Sequence, residues 1–124
     1  MKHKIISIDR NETIRKACNI YRDTGIGCVI VTDKEEIIGL VTERDIIERT
    51  ICMGIDPNTT KVEEIMSKNI KTVNKDERLE KAIEILKENK IKKLLVTSND
   101  DLVGIITLTD IAYSRPSMKE LFQF

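Results

Sequence analysis

Tryptophan is absent from the sequence, phenylalanine and tyrosine number two each, and there is one histidine. A chain this poor in aromatics offers few platforms on which nucleic-acid bases could stack. The lone imidazole, His3, stands near a terminus, so no Ser/His or Cys/His pair can activate a nucleophile, and neither H-E-x-x-H nor a Cys/His cluster is present to bind a metal. An excess of one charge is also missing. Lys plus Arg total 21 and Asp plus Glu total 21, so no global field recruits nucleic acid or an anionic membrane surface, and any charge-driven binding is local.

The three cysteines, Cys18, Cys28 and Cys52, are odd in number and form no C-x-x-C. That usage fits a reducing cytosol rather than a disulfide scaffold. The longest apolar run, Ile26 to Val31, falls far short of the ~18 residues that span a bilayer. Met1-Lys2-His3-Lys4 leads directly into Ile5-Ile6 with no signal-peptide core. These absences predict a soluble cytoplasmic protein. Gly25-Ile26-Gly27 fails the G-x-G-x-x-G pattern because Ile30 stands at the third glycine position, and no G-x-x-x-x-G-K occurs. No enzyme and no cofactor are expected.

What the chain does have is charge, at 34% of residues, together with abundant Ile and Lys, a balance that resembles the Lys/Glu-rich surfaces of thermophile proteins. Its 124 residues suit one compact core, or two half-size units sharing one.

An internal repeat decides between these. A shift of 65 positions brings Ser7 onto Thr72, Ala17 onto Ala82, Ile20 onto Ile85, Val31-Thr32 onto Val96-Thr97, Gly39 onto Gly104, Thr42 onto Thr107 and Asp45-Ile46 onto Asp110-Ile111, without a gap. Self-similarity of this period marks duplicated supersecondary units. Residues 1–60 form the first copy with its linker, and residues 61–124 the second with a C-terminal tail. Each copy reads β-α-β-β-α, which predicts an α/β or α+β fold.

In the first copy, strand Ile5 to Ile8 is followed by turn and cap chemistry at Asp9 to Glu12. A helix then carries Ile14, Ala17, Cys18 and Tyr21 on one stripe and ends at Gly25. Cys28 to Thr32 and Ile37 to Val41 are strands joined through Asp33 to Glu36, and a second helix opens at Thr42 with Ile46, Ile47 and Ile51. The second copy repeats the scheme: strand Ile70 to Val73, a helix from Asp76, strands Leu94 to Thr97 and Leu102 to Ile106, and a helix near Leu108. Gly54 to Thr60 is a turn-rich linker. Val62-Glu63-Glu64-Ile65 reads as a short helix leading into the second copy. The first copy has no such lead-in, and the tail Lys119 to Phe124 could cover that face.

Two segments share one motif: Gly39-Leu40-Val41-Thr42-Glu43-Arg44-Asp45 and Gly104-Ile105-Ile106-Thr107-Leu108-Thr109-Asp110. A single Thr-x-x-Asp at a strand-to-helix junction is foremost a capping box. The same residues also suit a ligand, since a carboxylate accepts ribose hydroxyls, a hydroxyl bonds ribose or phosphate oxygen, and glycine admits close approach.

With both motifs set in a duplicated β-α-β-β-α unit, the sequence from Ile5 to Tyr113 resembles a tandem pair of cystathionine-β-synthase (CBS) domains of the stand-alone archaeal and bacterial type. The resemblance implies a pseudo-two-fold repeat forming one Bateman-type module that binds an adenosine-containing molecule: AMP, ADP, ATP, S-adenosylmethionine or methylthioadenosine. It implies that Asp45 and Asp110 hold ribose, and that Thr42, Thr107 and Thr109 contact ribose or phosphate. It further implies that each site borrows backbone from the opposite copy, Ile6, Ile26 and Gly27 serving Asp110, and Lys71, Ile91 and Lys92 serving Asp45. Arg44 and Lys92 would make the Asp45 site the more basic. For Lys92 and Lys93 the plainer reading is a solvated surface run.

An effector protein of unknown identity would receive the output. Self-association is also implied, as a homodimer or a dimer of dimers, because the helix stripes offer more apolar surface than a small core needs. The competing reading is a scaffolding or nucleic-acid-binding protein that grips phosphates through Lys87, Lys90, Lys92 and Lys93, with Glu84 and Glu88 interspersed against it.

Overall fold

The structure, a computed structural model, describes residues 5–114 and, of the side chains, those of residues 5–112. His3 and the Leu121-Phe122 tail lie outside the described residues. By internal contacts the described chain divides into one unit, Ile6–Ile70, and another made of the residues from Lys71 on together with Ile5.

The first unit runs β1 (Ser7–Asp9), α1 (Ile14–Thr24), β2 (Cys28–Asp33), β3 (Glu36–Thr42), α2 (Glu43–Ile46), a π-helical turn (Ile47–Ile51) and a 3₁₀ turn (Val62–Glu64). The second runs β4 (Thr72–Asn74), α3 (Leu79–Asn89), β5 (Lys93–Ser98), β6 (Asp101–Thr107) and α4 (Leu108–Ser114). Each sheet has three strands in sequence order, the outer pairings being parallel for β1 with β2 and antiparallel for β2 with β3, and likewise in the second unit.

The 65-residue repeat extends to individual hydrogen bonds. Ile30 N donates to Ile6 O and Leu95 N to Lys71 O; Arg10 N donates to Thr32 O and Lys75 N to Thr97 O. An aspartate turn, Asn11 N to Asp9 Oδ1, returns as Asp76 N to Asn74 Oδ1. Even the bulge between Val31 and Thr32 recurs between Val96 and Thr97. Side chains of an asparagine or aspartate that bond the backbone two residues on stop a strand locally, which is why β1 and β4 end where they do.

Helix α1 is capped at both ends. The Thr13 hydroxyl accepts from Lys16 N, and Gly25 closes the helix at φ 73. Amides of its first turn are taken up by the linker, Ile14 N donating to Thr60 O and Arg15 N to Pro57 O, both at 2.9 Å. Its counterpart α3 is preceded by Arg78, which gives no side-chain cap, and is closed by Lys90 at φ 52.

Each unit buries its own cluster. Ile8, Ile14, Ala17, Val29, Val31, Val41 and Ile46 form the first together with Val62, Ile65 and Met66. Val73, Ala82, Ile83, Leu86, Leu94, Val96 and Ile111 form the second. The Val62–Met66 segment covers the first sheet. That segment, read from the sequence as a lead-in to the second copy, packs in the first. Leu40 and Ser67 exchange two backbone hydrogen bonds, at 3.0 and 2.8 Å, shielding part of the edge of β3.

Both hairpins turn on two residues with positive φ, Lys34 (50) with Glu35 (71), and Asn99 (52) with Asp100 (68). Such turns favour Asn-Gly, and asparagine and aspartate tolerate the left-handed region better than Lys or Glu. Glu35→Gly is therefore expected to stabilise the chain by about 0.5–1 kcal/mol, more than Asp100→Gly. Thermal unfolding of the two variants checks the order.

The helix stripes are consumed inside each unit. Ile14 and Ala17 are fully buried, Ala82, Ile83 and Leu86 are buried, and Cys18 and Tyr21 pack on the first cluster. Among the described residues, the large apolar side chains left exposed are instead Ile47, Ile51 and Met53, at 53%, 68% and 69% of their surface. Among the described residues no helix is long and apolar enough to cross a membrane.

Candidate functional site

The shared motif forms the same reciprocal Thr–Asp box in the two units, with one further bond in the first. In the first, Thr42 N donates to Asp45 Oδ2 at 2.9 Å, the Thr42 hydroxyl donates to the same oxygen at 3.1 Å, and Asp45 N donates to Thr42 Oγ1 at 3.2 Å. In the second, Thr107 N donates to Asp110 Oδ2 at 2.9 Å and Asp110 N to Thr107 Oγ1 at 3.1 Å. Capping is thus a real role of both pairs, and Asp45 Oδ2 is committed to it. Oδ1 is the oxygen left to face something else.

The family model described as CBS domain matches residues 1–51 and 62–116. The chain belongs to the CBS-domain family. Over 117 residues, 93% of this chain, it is 32% identical to the Methanopyrus kandleri protein MK0525, of whose length it spans 60%. The CBS domain-containing protein YhcV of Bacillus subtilis is 30% identical over 94% of this chain and 83% of its own length. Among solved structures, the hexameric CBS-CP12 protein from bloom-forming cyanobacteria superposes with a TM-score of 0.82 at 28% identity, covering 97% of this chain and 70% of that one. CBS pairs are typically regulatory ligand-binding modules, and that is the class in which this chain stands.

The two CBS copies differ in what surrounds the carboxylate. Asp45 is buried, with 9% of its surface exposed, whereas Asp110 is half-buried and Thr109 beside it is exposed. Arg44, expected to make the first site basic, turns away: its Nε lies 2.8 Å from Glu48 Oε1 and its side chain is 72% exposed. The cation that does approach Asp45 is Arg49, with Nε 3.8 Å from Oδ1. Sequence reasoning missed it, although the i,i+4 spacing of Asp45 and Arg49 carried the signal.

The other residues assigned by resemblance sit at strand entries and have backbone partners already. The carbonyls of Ile6 and Lys71 accept from Ile30 and Leu95, and the Lys92 carbonyl accepts from Leu108 N at 2.8 Å. That last bond occupies the first amide of α4. Ile91 N donates to Leu86 O at 3.1 Å, and Ile26 N to Thr24 Oγ1 at 3.2 Å. A Cβ on Gly27 would stand 3.0 Å from Glu43 Oε1. The Lys92 side chain is exposed, as are Lys87 and Lys90, with Glu84 and Glu88 exposed among them.

Gly39 also has a different reason from the one expected. A Cβ there would stand 2.8 Å from Met66 Cγ, so the space that glycine leaves is filled by packing within the first unit rather than kept for a ligand.

Tyr21 is peculiar to the first copy, Leu86 standing at the matching place. Its hydroxyl donates to the Val41 carbonyl, one residue before Thr42. Burial, reinforced by Cys28, Asp45, Cys18 and Glu43, pushes its pKa well above the ordinary phenol value. A phenol held neutral in the fold contributes stability that is fully present below pH ~10 and lost as pH rises beyond it. Tyr21→Phe should cost about 0.5–1.5 kcal/mol at neutral pH. Urea unfolding should find the gap from the parent chain narrowing above pH ~10; a gap constant with pH would contradict this role.

Proposed function

We propose that this CBS pair is a cytoplasmic sensor of adenosine-containing ligands that acts on a separate effector protein. The observation that carries the reading is the duplicated Thr–Asp box, Thr42 with Asp45 and Thr107 with Asp110, sharing two backbone-to-side-chain hydrogen bonds and set on the same strand end in both copies. Capping alone needs one such box per helix and no particular strand before it. A carboxylate beside a hydroxyl at a fixed strand end also gives a ribose diol an acceptor and a second polar contact.

In this reading Asp45 and Asp110 take ribose, and Thr42, Thr107 and Thr109 take ribose or phosphate oxygen. The backbones of Ile6, Ile26, Gly27, Lys71, Ile91 and Lys92 take the base, and the exposed Lys92 ammonium attracts a phosphate. The exposed Ile47, Ile51 and Met53 are the surface through which two copies would meet as a homodimer, a two-fold contact letting one patch serve both partners. Native mass spectrometry, first on protein purified without nucleotide and then with AMP, ADP, ATP, S-adenosylmethionine and methylthioadenosine at millimolar concentration, reads both parts. An adenosyl mass on an even number of subunits is expected. A ligand-free 14.2 kDa monomer throughout the panel would overturn the reading.

A further inference from the structure

Arg49 makes two kinds of contact at once. Its Nε faces Asp45 Oδ1 at 3.8 Å, and its Nη1 donates to the Met66 carbonyl at 3.0 Å and the Ile65 carbonyl at 3.3 Å. Those carbonyls lie just after the 3₁₀ turn, in the stretch that ends the first unit at Ile70. Around them, Met66 fills the space over Gly39, and Ser67 pairs with Leu40 in the motif strand. The guanidinium therefore joins the motif carboxylate to the segment leading out of the first copy.

The backbone that presents Arg49 is unusual. Ile47–Ile51 is a π turn, closed by Cys52 N to Ile47 O and followed by Ile55 N to Thr50 O. It leaves the Thr50 hydroxyl, on a residue 1% exposed, without a hydrogen-bond partner. Widened turns of this kind recur at functional sites, and an unpaired buried hydroxyl is a cost that calls for a gain elsewhere. The contacts of Arg49 are such a gain. Position 114, which matches 49 in the repeat, is serine.

We propose that Arg49 is a positioning residue of the first-copy site: it orients the Asp45 carboxylate and ties it to the 65–66 backbone, so that whatever engages Asp45 also shifts the segment leaving the unit. The role at a ligand site rests on the sensor reading above; the tie itself does not. Only the planar fork of arginine can reach a carboxylate and two carbonyls together, whereas lysine supplies the charge from a single point. Reciprocity follows: a ligand that draws on Asp45 loosens the tie, and loosening the tie changes the affinity of the ligand.

The test uses amide hydrogen exchange at Leu40 and Ser67, which report the pairing beside the tie. In the ligand-free full chain, Asp45→Asn should speed exchange at both amides by at least about twofold when Arg49 is present, and change it little in an Arg49→Gln background. Equal effects in the two backgrounds would overturn the proposal. So would full restoration of the coupling by Arg49→Lys, since charge without the fork would then suffice. With AMP as probe, the parent chain should change exchange at both amides on binding, and Arg49→Gln should bind AMP without that change. If AMP and the other adenosyl ligands fail to bind the parent chain, the sensor reading falls, while the ligand-free comparison still decides the tie.

Discussion

Asp110→Ala should lower affinity for an adenosyl ligand at the second-copy motif by about a hundredfold or more, the scale of losing two hydrogen bonds to a carboxylate. The first-copy motif should keep its own binding, because its box is built entirely from Thr42 and Asp45. The fold should survive. Asp110→Ala removes the acceptor of Thr107 N, while the Thr107 hydroxyl still accepts from the amide at position 110, so the lost cap bond costs about 0.5–2 kcal/mol. Calorimetric titration paired with urea unfolding separates the two effects. An Asp110→Ala chain that cannot fold would mean that capping is the main role of the box.

Gly39→Val should destabilise the first unit by about 1–3 kcal/mol through overpacking. The added Cβ would meet Met66 near its own Cβ, at 3.1 Å, and near Cγ, at 2.8 Å, atoms too close to the backbone to swing aside. Met66 is itself buried, and Ser67 is fixed to Leu40 on the next residue, so a shift of one disturbs the other. Met66→Ala alone leaves a cavity and should also destabilise, by about 2–5 kcal/mol. In the Gly39→Val background the same truncation should cost markedly less, because it relieves the clash. Additive losses in that double-mutant cycle would contradict the packing of Met66 over Gly39.

The duplication was legible from residues alone, because a two-residue turn and a fixed bulge leave no freedom to slip a register once the apolar positions match. Val29, Val31 and Val41 face the first cluster, and Leu94 and Val96 the second, as period-two alternation requires. Element ends were less legible. Ile5 and Ile6 read as strand by their character, yet the β1 ladder begins at Ser7, since pairing rather than hydrophobicity sets a strand boundary.

The packing of the 62–66 segment was not legible, for a related reason. Val62-Glu63-Glu64-Ile65 has helical character, and nothing in its spacing says which sheet it covers. Its hydrogen bonds decide that, Val62 N donating to Glu12 O and Ser67 N to Leu40 O, both at 2.8 Å. At the motif, the Thr–Asp box was readable as chemistry. The contacts of Arg44 with Glu48 and of Gly39 with Met66 were not legible, because they depend on side-chain direction that a linear pattern does not encode. The π turn was hidden altogether: Ile46, Ile47 and Ile51 fit an α-helical stripe, but the wider turn buries Ile46 and leaves Ile47 and Ile51 exposed.

The central claim, that the two Thr–Asp boxes bind adenosyl ligands, is tested most directly by isothermal titration of the parent chain and of Asp45→Asn/Asp110→Asn with AMP, ATP, S-adenosylmethionine and methylthioadenosine. Asparagine can still accept from Thr42 N and Thr107 N, so the caps and the fold persist, while the anionic acceptor for ribose is gone. The account predicts saturable heat with at least one ligand in the parent chain and none in the double variant. Absence of heat from every ligand at millimolar concentration, or equal binding by the parent chain and the double variant, would contradict it.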